Sequence, residues 1–188
     1  DNLGVAIGMP VGPLTVTDEV SLKLLFHVRD TQLKMGLRKA SKDPTSEGTA
    51  LREFLFLEAE RGGRQYGGGF YDYAADGKQI WPELVDKYYL EENPISDEDI
   101  KDRLLFCNVI EALKCLEEGV LNNVADANIG SIMGIGAPAW TGGYIQFVNT
   151  YGLQSFIDRC CELAAKYGAR FEPPAIVEQH LKEGKSFL

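Results

Sequence analysis

From Ser96 to Gly119 the chain carries one unbroken helical signal, and that segment constrains the fold more than any other. Ser96 is an N-cap residue type, and Asp97, Glu98 and Asp99 put negative charge into the first turn, where free amides and the helix dipole favour it. Ile100, Leu104, Cys107, Ile110 or Ala112, Cys115 and Leu116 then form an apolar stripe that ends at Gly119. The same period recurs on both sides. Leu22, Leu25, Phe26, Arg29 and Leu33 predict a helix stopping near Gly36, and Leu51, Phe54, Leu55 and Glu58 another closed by Gly62-Gly63. A helix from about Val124 carries Ile129, Ile132 and Met133 into Gly134-Ile135-Gly136-Ala137-Pro138, and two more span Leu153 to Tyr167 and Pro174 to Lys182. No run of strands alternates with these helices, so the fold class is all-α and contains no Rossmann unit.

Between the helices the punctuation is glycine and proline. Gly8-Met9-Pro10-Val11-Gly12-Pro13 reads as a turn, with Pro13 at a first helical position. Arg38 to Glu47, with Lys42-Asp43-Pro44-Thr45, reads as a polar loop. Gly67-Gly68-Gly69-Phe70-Tyr71-Asp72-Tyr73 is the stretch with extended character, and Ala74 to Pro94 reads as a connector with a short helix around Trp81 to Tyr89. Gly8-Met9-Pro10 is echoed by Gly136-Ala137-Pro138, as a duplicated helical unit would produce.

The 188 residues, 45% hydrophobic and 25% charged, are enough to build a core without disulfides or metal. A net charge of −9 disfavours nucleic acid and anionic membranes as general partners, though a few local cations could still meet an anionic ligand such as coenzyme A. No apolar run reaches the roughly 20 residues that span a bilayer. The start, Asp1-Asn2-Leu3-Gly4, has neither a signal peptide's basic segment nor an initiator Met, so an upstream part is expected. Cys107, Cys115, Cys160 and Cys161 fit neither a disulfide framework nor a C-x-x-C metal site and are expected to be reduced and mostly buried.

Chemistry-bearing residues are scattered. The glycine triplet is followed by aromatics rather than by a helix or a Lys-Ser pair, so a structural turn is expected there, not a phosphate cradle. His27 and His180 have no locally spaced partner for base chemistry, and a zinc site is not expected. Asp99, Asp102, Glu111, Glu117 and Glu118 read as a solvated acidic helix face, and Ser131, Ser155 and Ser186 lack nucleophile-elbow glycines. Arg38, Lys39 and Lys42 form a modest basic cluster, either a solvated loop or a contact to a coenzyme A phosphate.

Taken in order, Gly67 to Tyr73, Asp102-Arg103-Leu104-Leu105, Glu111 to Val120, Ala125-Asp126, Gly134 to Gly143 and Arg170-Phe171-Glu172-Pro173-Pro174 resemble the second of the paired C-terminal helical repeats of 3-hydroxyacyl-CoA dehydrogenases. The match is to the multifunctional fatty-acid β-oxidation enzymes, which fuse an enoyl-CoA hydratase to the dehydrogenase. Gly8 to Leu14 and Asp18 look like the late part of the first repeat.

The resemblance implies two related helical units, 6-phosphogluconate-dehydrogenase C-terminal-like, with the first truncated at its N-terminus. Residues 1–73 would be the late first repeat, 74–95 a connector and 96–188 the second repeat. It further implies an NAD-dependent oxidation of L-3-hydroxyacyl-CoA, with NAD and a His–Glu pair held by an upstream Rossmann domain, and no cofactor or catalytic residue in this chain. Where the first repeat would carry a substrate-orienting Asn-Arg, this chain has Asp102-Arg103, so the second copy is expected to be scaffold. Pro10, Val11, Gly12 and Pro13 are the expected substrate-adjacent residues. Acyl-CoA, a homodimer or a thiolase are the implied partners, and a bacterial cytoplasm the implied location. A free-standing, non-catalytic binding or oligomerisation module is the alternative.

Overall fold

A computed structural model of the chain describes residues 1–37, 49–92 and 95–188. The helices are α1 (Asn2–Ala6), α2 (Pro13–Val20), α3 (Leu22–Lys34), α4 (Thr49–Glu53), α5 (Pro82–Tyr88), α6 (Asp97–Glu117), α7 (Val124–Ile135), α8 (Tyr144–Tyr151), α9 (Leu153–Tyr167) and α10 (Ala175–Glu183). A small antiparallel hairpin, β1 (Tyr71–Ala74) and β2 (Gly77–Ile80), pairs Tyr71 with Ile80 and Ala74 with Gly77. The fold is all-α apart from that hairpin. The chain divides into two units: Asp1 with Val11–Glu92, and Asn2–Pro10 with Asn93–Leu188.

In the first unit, Pro13 opens α2 and Gly36, at φ +70°, ends the α3 segment as its sequence demands. The expected stop at Gly62-Gly63 comes earlier. After α4 the chain widens into a π turn over Phe54–Glu58, with the Ala59 amide on Phe54 O at 2.9 Å, and Glu60 turns out at φ +54°. Gly63 serves a close approach instead, because a Cβ there would stand 2.6 Å from Asp18 O. The extended stretch becomes strand only from Tyr71, and the two-residue turn Ala75-Asp76 lets Gly77 pair back on Ala74. Leu22, Leu55, Phe70, Trp81 and Leu84 form the core, which takes in α5 of the 74–95 segment, while β2, exposed along its length, joins the unit by pairing with β1. The polar loop from Arg38 to Glu47 lies outside the described residues.

In the second unit Ser96 caps α6 as expected, its Oγ accepting from the Asp99 amide at 3.1 Å. The buried face is rotated from the expected stripe. Leu105, Phe106, Val109, Ile110 and Leu113 are buried, while Ile100, Leu104, Cys107, Cys115 and Leu116 are half-buried on the flanks. The reason is that α6 is covered from several sides, by α1, α8, α9 and α10, so one stripe does not describe it. Phe106 stacks on Phe156 at 4.9 Å and meets Phe147 and Tyr151 edge-on, which centres the core on these rings.

On α7, Ile129 and Met133, two of the apolar residues that mark the helix in the sequence, face solvent, and Ala127 and Ser131 point inward. The small inner residues let α8 approach. Helix α8 was not expected from the sequence. Its first amides are satisfied by side chains of α7: Asn128 Oδ1 accepts from Ile145 and Gln146 at 3.0 and 2.9 Å, and Ser131 Oγ from Tyr144 at 3.2 Å. At the other end, Asn149 holds the chain terminus through paired bonds with the Phe187 backbone, and Phe187 stacks on His180 at 4.1 Å.

Candidate functional site

The expected substrate-adjacent residues divide between the two units. Pro10 belongs to the second unit, where it packs at Gly136: a Cβ on Gly136 would stand 3.3 Å from Pro10 Cγ. Val11, Gly12 and Pro13 belong to the first unit, where Val11 is exposed and Gly12 precedes α2 with extended backbone. Asp1 occupies the start of that helix, its carboxylate accepting from the Leu14 amide at 2.6 Å and the Tyr71 hydroxyl at 2.6 Å.

The glycine triplet closes over a buried carboxylate. Asp18 is fully buried on α2 and accepts from the amides of Phe70 and Tyr71, at 2.8 and 3.0 Å, and from the Tyr73 hydroxyl at 2.9 Å. Burial and the Asp18 charge hold the Tyr73 hydroxyl well above the ordinary tyrosine range. A Cβ on Gly69 would collide with the Asp18 carboxylate, and one on Gly68 would stand 2.5 Å from Arg61 Nη2. Arg61 in turn donates to Gly69 O, Tyr71 O and Asp72 Oδ1 at 2.7, 2.9 and 2.5 Å. The amides of this turn are therefore already taken: those of Gly67, Gly68 and Gly69 donate to Arg64 O, Gly63 O and Tyr71 O, and those of Phe70 and Tyr71 to Asp18. The described residues do not fit a dinucleotide at this turn.

The acids of α6 are not a uniformly solvated face. Asp99 is nearly buried and accepts from Arg159 at 2.6 Å, Tyr167 Oη at 2.6 Å and Lys166 at 3.3 Å. The Tyr167 and Arg159 hydrogen bonds hold its carboxyl well below the usual carboxylate range. Asp102 accepts from Arg159 Nε at 2.7 Å, yet burial pushes its own carboxyl upward. Burial opposes the Arg159 charge, but its three carboxylate partners Asp99, Glu162 and Asp102 outweigh that and hold the guanidinium above its ordinary range. Arg103 lies over the Tyr167 ring at 4.4 Å. Asp102 and Arg103 are thus engaged in binding α6 to α9. Glu117, by contrast, accepts from the Ile176 amide at 3.0 Å near the start of α10.

The remaining singled-out residues take bland positions. His27 is exposed on α3, and His180 donates from Nδ1 to Ile176 O, 2.9 Å away, while stacked on Phe187. Ser131 is buried as a helix-capping hydroxyl. Among the described residues no His, Cys, Asp and Glu cluster could hold a metal ion. The four thiols are free, but the expectation that most are buried is corrected: only Cys160 is, Cys107 and Cys115 are half-buried and Cys161 is exposed. Adjacent positions on a helix differ by about 100°, which turns Cys161 outward. The basic cluster Arg38, Lys39 and Lys42 lies outside the described residues.

A feature that the sequence reading missed is a cleft of about 640 Å³ within the second unit. It runs along the first turns of α6 toward Trp140, Phe147 and Tyr151. Its lining comes from three stretches more than 30 positions apart, at Ile7, Asp97 to Leu105 and Trp140 to Tyr151, so no local motif announces it.

The geometry defines an all-α, two-unit chain whose polar clusters mostly bind helix to helix. No family model matches it. It is 31% identical over 182 residues to the fatty acid oxidation complex subunit alpha of Vibrio parahaemolyticus serotype O3:K6 (strain RIMD 2210633), a match covering 96% of this chain and 25% of that protein. The same subunit of Vibrio vulnificus (strain CMCP6) is 32% identical over 181 residues, covering 96% of this chain and 25% of the relative. That of Pseudomonas syringae pv. tomato (strain ATCC BAA-871 / DC3000) is 31% identical over 199 residues, covering 100% and 26%. Over nearly its whole length the chain is thus similar to one segment of fatty acid oxidation complex α subunits. It spans about a quarter of the length of these curated relatives. Among the described residues no helix is long and apolar enough to cross a membrane.

Proposed function

We propose that the chain is the C-terminal helical portion of an NAD-dependent L-3-hydroxyacyl-CoA dehydrogenase of fatty-acid β-oxidation, inside a multifunctional hydratase–dehydrogenase. The observation that carries this reading is the similarity, over nearly the whole chain, to one quarter of fatty acid oxidation complex α subunits. The order of the glycine, Asp102-Arg103 and Gly134 to Gly143 motifs supports the same placement.

Paired repeats are supported by a reciprocal contact. Gly8 faces Pro138, and Gly136 faces Pro10, so equivalent positions of the two Gly-x-Pro turns meet crosswise. Two copies of one unit related by a local two-fold axis would meet in this way.

In this reading the chain supplies scaffold and substrate-side packing. Asp102, bound to Arg159, and Arg103, stacked on Tyr167, secure α6 where a first-repeat copy would orient substrate. Pro10 to Pro13 are the residues placed toward acyl-CoA. In this reading NAD would be held by an upstream domain, where it would supply the hydride-accepting chemistry, while Asp18 here takes up the Phe70 and Tyr71 amides beside the glycine triplet.

The test is NAD-dependent oxidation of a 3-hydroxyacyl-CoA by the 188 residues, beside a chain extended upstream through the nucleotide-binding domain. Turnover only in the longer protein is expected. Turnover by the short chain, or by neither, overturns the assignment.

A further inference from the structure

The cleft of the second unit has walls of a particular chemistry. Phe147 and Leu105 are buried beneath it, with Ile7 alongside, and Trp140 and Tyr151 stand 62% and 38% exposed at its sides. Trp140 and Phe147 meet edge-on at 5.9 Å, and Phe147 and Tyr151 lie 5.3 Å apart. The Trp140 indole N–H is already spent on Ile7 O at 2.6 Å. What Trp140 presents to the cleft is therefore ring surface, which attracts cations through its quadrupole and offers no donor to an anion.

The rim decides the sign of the occupant. Asp97, Glu98 and Asp102 line it together with Lys101. Asp102 is neutralised by Arg159, whereas Asp97 and Glu98 make no ion pair among the described residues, so the single charge of Lys101 leaves the rim negative. The Tyr151 hydroxyl at the cleft wall is raised above its ordinary range by burial first and then by Asp102, which Arg159 opposes, with Glu162 and Glu98 adding to the rise. A fatty carboxylate or a phosphate would meet repulsion here, and an alkyl chain ending in an ammonium would meet attraction at one end and apolar burial at the other.

We infer that this cleft is a binding site for a small organic cation with an apolar chain, its charged head between the faces of Trp140 and Tyr151 and the carboxylates of Asp97 and Glu98. The site is separate from the dehydrogenase reading and survives its failure.

The experiment titrates the chain with octyltrimethylammonium, octanol and octanoate, each below its micelle concentration, by calorimetry and by the Trp140 indole resonance. The expected result is saturable binding of the ammonium at least ~10-fold tighter than octanol, with octanoate weakest. Asp97→Asn with Glu98→Gln, both exposed changes, should bring the ammonium down to the level of octanol, and Trp140→Leu should weaken both. Equal affinity for the three probes, preference for octanoate, or ammonium binding indifferent to the acidic double variant overturns the proposal.

Discussion

Gly8 and Pro138 sit against each other, and the space between them leaves no room for a side chain: a Cβ on Gly8 would stand 3.1 Å from Pro138 Cβ. Gly136 meets Pro10 in the same manner, and both glycines have positive φ, +98° and +70°. Gly8→Ala and Gly136→Ala should each cost about 1–2 kcal/mol from backbone conformation alone, with Gly8 the worse because of the added contact. Gly130, on the exposed face of α7 with open space around it, is the control, and Gly130→Ala should stabilise by about 0.5–1 kcal/mol. Urea unfolding of the three variants checks the order. If Gly136→Ala is as stable as the parent chain, the turn conformation described for it is wrong.

That crosswise contact was legible in the sequence only as an echo, and this division runs through the molecule. Long helices with clear stops were readable: α9 and the Gly36 and Gly136 ends fall where period and glycine put them. Which face of α6 is buried was not readable, because several helices cover it and a single-stripe rule assumes one neighbour. Helix α8 went unseen for a related reason. Its start depends on Asn128 and Ser131, residues of another helix, rather than on a cap in its own sequence. The glycine triplet was correctly read as structural, but its cause, Asp18, lies about fifty residues upstream. The cleft likewise assembles residues of α6 and α8 with Ile7, just past α1, and Trp140, ahead of α8, and no spacing rule joins them.

Asp18 should be the most sensitive polar residue of the first unit. Asp18→Asn turns one of the two acceptor oxygens into a donor, set either against the Phe70 amide or against the Tyr71 amide and the Tyr73 hydroxyl. A loss of about 2–4 kcal/mol is expected, since a buried donor is then left unmatched. Gly69→Ala should be comparably damaging, because its Cβ and the Asp18 carboxylate claim the same space. The two changes share a partner, so their combined cost should fall short of the sum. Simple additivity in a double-mutant cycle would contradict the coupling.

The Asp99 cluster sets an acid limit. A carboxyl whose folded-state value is depressed stabilises the fold fully above its ordinary value of 3.8 and loses that contribution as pH falls below it. The parent chain should therefore lose stability steeply below about pH 4. Asp99→Asn should be less stable at neutral pH and show a shallower decline on acidification. Thermal midpoints from pH 2 to 7 give both slopes, and parallel curves would mean that Asp99 carries no such contribution.

The adjacent thiols of α9 should behave as opposites. Cys161 is exposed and should react with a maleimide in the native state, whereas Cys160 is fully buried and should not. Burial, followed by the neighbouring Cys161, pushes the Cys160 thiol up to about 12 from an ordinary 9.0. Because the folded-state value is raised, Cys160 supports the fold below pH 9.0, and this support drains away as pH climbs toward 12. Cys160→Ala should remove that part of the alkaline loss while costing stability at neutral pH through the small cavity it leaves beside the Phe156 core. Mass spectrometry after a short native labelling pulse separates the two sites. Equal labelling of Cys160 and Cys161 would show that α9 turns a different face to the core than the one described.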